Sequence, residues 1–187
     1  MKIYADEFVD PETFTMLNQR MLKRYTPIYD QGNLKINGQK PDTKNLAVRL
    51  RATSENNDYI EAAGYLGKEI IPVINKCREY LISLGVENPV AKSIWFQYMT
   101  NTYILTKHHD SNVRKSTLEN SYSTFLYCHD IWDSSWGGEL CFNDEEIPAL
   151  PNRLIAYSRD EEHWVNPIKH DNQDYKRMFF GISWSSI

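Results

Sequence analysis

Cysteine is scarce, basic residues are not in excess, and no long apolar run occurs; each shortage closes off a class of protein. There are three cysteines in 187 residues, Cys77, Cys128 and Cys141, and none lies in Cys-x-x-Cys spacing. No disulfide framework is implied, and the thiols read as reduced core residues in a cytoplasmic setting. With 21 Lys+Arg against 25 Asp+Glu, the net charge is -4. Such a chain has no broad positive field to hold a phosphate backbone, so a nucleic-acid partner is not expected. Nowhere do about 18 apolar residues follow one another, and the opening Met1-Lys2-Ile3-Tyr4-Ala5-Asp6-Glu7 turns acidic at once. Neither a membrane span nor a cleaved leader is expected. What is present is 41% hydrophobic and 13% aromatic residues, the content of a folded, β-rich chain long enough to bury one substantial core.

The first half reads as mixed. Ile3 and Tyr4 fit a short strand. Asp10 and Pro11 make a helix start, and Phe14, Leu17, Met21 and Leu22 recur at helical spacing, which predicts a helix over 11–25. Residues 26–45 turn polar, punctuated by Asp30, Gly32, Asn33, Gly38 and Pro41, and read as a hairpin or functional loop. Period-two alternation predicts a strand over 46–51. Leu66, Ile70, Ile74, Cys77, Leu81 and Leu84 then form one helical stripe, capped by Asn57 or Asp58, broken or kinked at Pro72 and stopped at Gly85.

Beyond Pro89 the pattern changes to strand-like segments at 93–98, 103–110, 123–127, 139–142, 153–157, 164–168 and 178–184. Short strands with no helix between them argue for a jelly roll or related barrel, and helices followed by strands make the class α+β. One domain over 1–187 is expected, with helical support over about 1–90 and the barrel over about 91–187.

Within the barrel, Lys107-His108-His109-Asp110-Ser111 carries the chemistry. In a strand over 103–110, side chains alternate, so His108 and Asp110 share a face and His109 points away. One imidazole and one carboxylate are two thirds of a 2-His-1-carboxylate triad, the ligand set that suits non-haem Fe(II) and leaves positions open. A polar strand end has the same appearance. The third ligand must come from a distant strand, and His163, at the start of Trp164-Val165-Asn166-Pro167-Ile168, is the candidate; otherwise it is a surface histidine among acids. His129 and His170 sit in polar, loop-like surroundings and read as structural. Arg177 opens the apolar run Met178-Phe179-Phe180-Gly181-Ile182-Ser183-Trp184 and is either a surface snorkel or a buried fork for a carboxylate. Trp184 falls on the opposite face from Arg177 in an unbroken strand.

Together, His108-x-Asp110, then His163, then Arg177 resemble the Fe(II)/2-oxoglutarate-dependent dioxygenases, and among them the prolyl 4-hydroxylase-like branch. Tyr127-Cys128-His129-Asp130-Ile131-Trp132-Asp133, followed by Trp136-Gly137-Gly138-Glu139-Leu140, resembles that family's strand, tryptophan turn and Gly-Gly-Glu strand start. Asn152-Arg153-Leu154-Ile155-Ala156-Tyr157 resembles the strand before its distal histidine, and the stretch from Ile3 to Glu12 its opening strand and helix entry.

The resemblance implies a double-stranded β-helix (jelly-roll, cupin-like) core with N-terminal supporting helices. It implies that His108, Asp110 and His163 hold Fe(II). Arg177 would pair with the distal carboxylate of 2-oxoglutarate, Tyr127 would donate its hydroxyl to the same group, and Tyr98 would be another co-substrate-pocket tyrosine. His108, Asp110, His163 and Arg177 are then the catalytic set. The implied reaction uses O2 as co-substrate, with room for ascorbate as accessory reductant, and hydroxylates a prolyl or other peptidyl residue with release of succinate and CO2. A free amino acid or other small molecule is the alternative substrate, and a non-catalytic metal-binding jelly roll the alternative role. Ser183 stands where nucleic-acid demethylases on this scaffold carry a second arginine, which disfavours that class. Residues 26–45 and 111–121 are the expected lid and substrate rim.

Overall fold

The structure is a computed structural model. It describes residues 1–30, 45–51, 59, 63–64, 66–100, 105–110, 120–170, 172 and 175–186, with the backbone alone for 24–30 and 45–51. Strand β1 (Lys2–Ala5) leads into helix α1 (Pro11–Asp30). Asp10 starts the helix by accepting from the Thr13 amide (2.9 Å) and the Thr13 hydroxyl (2.7 Å), and Pro11 fills a first-turn position that needs no amide. Leu17 and Met21 are fully buried from this helix, each contributing roughly 1.5–3 kcal/mol. The helix runs past residue 25, where the polar composition predicts its end. Its backbone stays helical through Pro27, which forgoes one i→i−4 hydrogen bond.

Strand β2 (Asn45–Arg51) is followed by helix α2 (Ile70–Ser83), which buries Ile70, Val73, Ile74, Cys77 and Leu81. The expected break falls a few residues before Pro72: Ala63, Gly64 and Leu66 are helical, and Gly67 at φ +99° with a turn at 68–69 separates them from the helix that starts at Ile70. Pro72 therefore lies in the first turn of α2, where a missing amide costs nothing. Gly85, at φ +87°, ends the helix, with the Val86 amide reaching back to the Leu81 carbonyl at 3.1 Å. Asn57 and Asp58, expected as caps, lie outside the described residues.

The remaining strands are β3 (Val90–Met99), β4 (Leu105–His108), β5 (Ser121–Tyr127), β6 (Leu140–Phe142), β7 (Glu146–Ile147), β8 (Leu154–Ser158), β9 (His163–Val165) and β10 (Arg177–Ser185). They form a six-stranded sheet in the order β1-β8-β5-β10-β3-β2, facing a four-stranded sheet in the order β4-β9-β6-β7. The pairings are antiparallel, and the architecture is an α+β jelly roll. The expected split at residue 90 is not clean, because β1 and β2 supply both edges of the large sheet. Strand β7 has no counterpart in the sequence reading. It is two residues long, too short for a period to register.

Alternation sorts the large sheet's side chains into two cores. Ile94, Phe96 and Tyr98 of β3, with Met178, Phe180, Ile182 and Trp184 of β10, join the helices. Met99, Phe125, Tyr127, Ile155, Tyr157 and Phe179 point between the sheets. Trp184 therefore lies on the face opposite Arg177, as the strand period predicts, and its indole N–H donates to Thr124 Oγ1 at 2.9 Å. The cysteines are all free and buried, and burial pushes the Cys77 thiol up to about 12.

Candidate active site

Register brings two histidines face to face. His108, the last residue of β4, pairs with His163, the first of β9, and their rings lie 4.4 Å apart. Each ring is oriented by a backbone carbonyl: His108 Nδ1 is 2.7 Å from the Thr106 oxygen, and His163 Nδ1 is 3.0 Å from the Glu161 oxygen. A carbonyl only accepts, so both Nδ1 atoms carry a proton and both Nε2 atoms are turned toward the site. They face Asp110 Oδ1, at 3.9 Å from His108 Nε2 and 3.5 Å from His163 Nε2. One ligand atom from each of the three residues lies within 4.8 Å of the others.

Asp110 does not reach this position by strand alternation. β4 ends at His108, and Asp110 sits in the bend beyond it. His109 turns away, its Nδ1 on the Asp160 carbonyl at 2.8 Å. Burial pushes the Asp110 carboxyl upward, but the His163 ring, Arg159 and the Ser123 hydroxyl more than reverse this and hold it well below the usual carboxylate range. The site therefore offers a carboxylate and two imidazoles whose other ring nitrogens are tied. This donor set fits a ferrous ion.

The three residues open onto a cavity of about 140 Å³ that Arg177 also lines. Arg177 is 1% exposed, which excludes the snorkel. Its Nε donates to the Gly138 carbonyl (2.8 Å), Nη1 to Met99 Sδ (3.0 Å) and Nη2 to the Tyr127 hydroxyl (2.7 Å). No carboxylate is among these partners, and two of the five N–H groups remain for an anion. Tyr127, fully buried, accepts from Arg177 and keeps its own proton to donate. The Gly-Gly pair proves to be more than turn chemistry. A Cβ on Gly137 would lie 2.2 Å from the Pro167 carbonyl oxygen, and one on Gly138 would lie 3.2 Å from Arg177 Cδ and 3.0 Å from the Trp132 ring.

Neither predicted tyrosine lines this cavity: Tyr127 meets it only through Arg177, and Tyr98 faces the helices, where its hydroxyl donates to the Met21 carbonyl at 2.9 Å. The β3 residues that do face the cavity are Trp95, Gln97 and Met99, all missed by the sequence reading. Parity was the available signal: Met99 is the register partner of Arg177, so odd-numbered β3 residues share its face. His129 lies in the irregular segment after β5, as expected, but it is buried, between the Ala149 carbonyl (2.6 Å) and the Met178 amide (3.2 Å). His170 packs among Trp132, Trp136 and Tyr175. Residues 31–44 and 111–119, the bulk of the expected lid segments, lie outside the described residues, and 26–30 belong to α1.

In sequence, the 2OG-Fe(II) oxygenase superfamily matches residues 94–182, the span from β3 to β10 that contains every cavity residue named above. That match supports the resemblance to the Fe(II)/2-oxoglutarate-dependent dioxygenases over this segment. No curated protein matches the chain. Among solved structures, it is similar to a Pseudomonas putida prolyl-4-hydroxylase (TM-score 0.61, 16% identity, covering 99% of this chain and 91% of that one). It is similar also to the viral collagen prolyl hydroxylase of Paramecium Bursaria Chlorella virus-1 (0.64, 11%, 100% and 96%). A third is the Trichoplax adhaerens prolyl hydroxylase, solved in complex with a hypoxia inducible factor peptide fragment (0.58, 19%, 100% and 83%). At these identities the likeness speaks for the fold.

Proposed function

We propose that the protein is an Fe(II)- and 2-oxoglutarate-dependent dioxygenase that hydroxylates a C–H bond of a prolyl or other peptidyl residue, releasing succinate and CO2. The observation that carries the reading is Arg177: a buried guanidinium with no carboxylate partner among the described residues, in the same cavity as a His-Asp-His donor set. An unpaired buried charge is costly and implies an anionic ligand. In this reading His108, Asp110 and His163 hold the ferrous ion. When bound, the ion and the 2-oxo acid supply the oxidising chemistry. Arg177 grips the distal carboxylate, Tyr127 donates its hydroxyl beside it, and Leu140, Val165 and Phe179 keep water from the reacting groups.

About 140 Å³ is below the roughly 300–1,000 Å³ of most small-molecule sites, so with a dicarboxylate inside, a substrate of either class approaches at the mouth beside half-buried His108. The peptidyl reading draws its support from the named activities of the Pseudomonas and Trichoplax proteins. We read residues 1–187 as one domain. The free thiols support a cytoplasmic setting, and among the described residues no helix is long and apolar enough to cross a membrane. The test is succinate release from 2-oxoglutarate with proline-containing peptides, and with free amino acids in parallel, mass spectrometry locating the added oxygen. Release driven by peptides supports the proposal, and release driven by free amino acids alone selects the small-molecule alternative. No release despite intact Fe(II) affinity selects a binding module.

A further inference from the structure

We propose that Ser123 and Tyr157 are positioning residues that hold Asp110 as a one-oxygen metal donor, acting from outside the strand that carries the His-x-Asp motif. The inference rests on the metal reading above and concerns how this chain builds that centre. Asp110 lies beyond the end of β4, so no ladder of its own strand fixes its side chain. Two other strands do so. Ser123 of β5 and Tyr157 of β8 are direct register partners, both fully buried. Both hydroxyls donate to the same atom, Asp110 Oδ2, each at 3.0 Å. Tyr157 Oη is also 3.4 Å from His163 Nε2, and its proton goes to the closer acceptor.

Arg159, just past β8, completes the clamp. Its Nη2 donates to the Asp110 backbone carbonyl at 2.9 Å, and its Nε lies 3.6 Å from Oδ2. The two carboxylate oxygens thus have separate work. Oδ2 is engaged by donors on the far side, and Oδ1 is left facing both imidazoles. Rotation about Cβ–Cγ would break two part-buried hydrogen bonds, so the carboxylate is held from turning both oxygens toward an ion. Such outer contacts orient a ligand and set metal affinity. Tyr157 reaches this role because β8 alternates: Leu154 and Ala156 face the helices, while Ile155 and Tyr157 face the site.

The experiment is an anaerobic Co(II) titration of the full chain, comparing wild type, Tyr157→Phe, Ser123→Ala and His163→Ala, with apo melting temperatures alongside. Both hydroxyl deletions should weaken Co(II) binding about 10-fold. They should also shift the visible ligand-field bands at saturating Co(II), because Asp110 is then free to reorient, and His163→Ala should abolish binding. Wild-type affinity and bands in both hydroxyl variants overturn the proposal. A lowered apo melting temperature with unshifted bands assigns the pair a purely structural role and overturns it as well. A wild type that binds no Co(II) overturns the metal reading itself, and this inference with it.

Discussion

Arg177 Nη2 donates to the Tyr127 hydroxyl across 2.7 Å, and the other partners of this buried guanidinium are a carbonyl and a thioether. Among the described residues no anion meets this charge, which gives the site its strongest requirement for one. Arg177→Met should therefore weaken 2-oxoglutarate binding about 10- to 100-fold, the loss of charge-assisted hydrogen bonds worth roughly 1.5–3 kcal/mol. In an anaerobic melt with Mn(II), 2-oxoglutarate should raise the wild-type Tm and leave that of Arg177→Met nearly unchanged.

The two tyrosines separate cleanly. Tyr127→Phe deletes a hydroxyl beside Arg177 and should raise the Kd for 2-oxoglutarate about 10-fold. Tyr98→Phe deletes one that donates to the Met21 carbonyl on the other face of β3, so it should cost about 1 kcal/mol of stability and leave that Kd unchanged. Isothermal titration and urea unfolding of both variants check the contrast. Equal effects on co-substrate affinity would contradict the placement.

Gly138, at φ +77°, lets the chain pass Arg177 and Trp132 at van der Waals distance. Gly138→Ala should cost about 1–3 kcal/mol and weaken 2-oxoglutarate binding, since the new methyl meets Arg177 Cδ. Gly64→Ala is the control: nothing lies within 4 Å of an added Cβ at this helical position, so 2-oxoglutarate binding should not move and stability should rise by up to about 1 kcal/mol. Denaturant melts and co-substrate titration of the two variants read both effects.

His129 makes stability acid-sensitive. Burial lowers its pKa from 6.5 to about 4, and the fold needs Nδ1 unprotonated to accept from Met178. Above pH 6.5 folded and unfolded chains are both neutral at this residue, and it contributes no pH dependence. As pH falls from 6.5 toward 4 the unfolded chain takes up the proton first, so stability drops with pH across that window. At pH 5 the loss attributable to His129 is about 2 kcal/mol. His129→Gln should flatten that part of the profile, as measured by urea unfolding of the metal-free protein at pH 7 and pH 5.

The stripe Ile70, Ile74, Cys77, Leu81 announced α2, because one buried face imposes a period, and alternation announced β2. β3 and β10 were legible as runs of strand-forming residues, β10 being buried on both faces. What escaped depends on neighbours distant in the chain. Whether Arg177 is solvated or buried is decided by the strands packed across it, and Tyr98 was placed by its distance from His108 when strand parity decides its face. His108 and His163 meet through pairing of β4 with β9. Asp110 joins them for a reason that the local pattern does not contain, the hydroxyls of Ser123 and Tyr157. A proline inside a helical stripe reads as a break until the helix start is known, and Pro72 proves to lie in the first turn.

The central claim is that His108, Asp110 and His163 hold a ferrous ion to which 2-oxoglutarate binds through Arg177. Anaerobic addition of Fe(II) and then 2-oxoglutarate, monitored for the weak visible metal-to-ligand charge-transfer band, tests it most directly. The account predicts the band in the wild type, its loss in His108→Ala, and a requirement for far more 2-oxoglutarate in Arg177→Met. A wild type that shows no band, or a His108→Ala variant that keeps it at full intensity, would contradict the account.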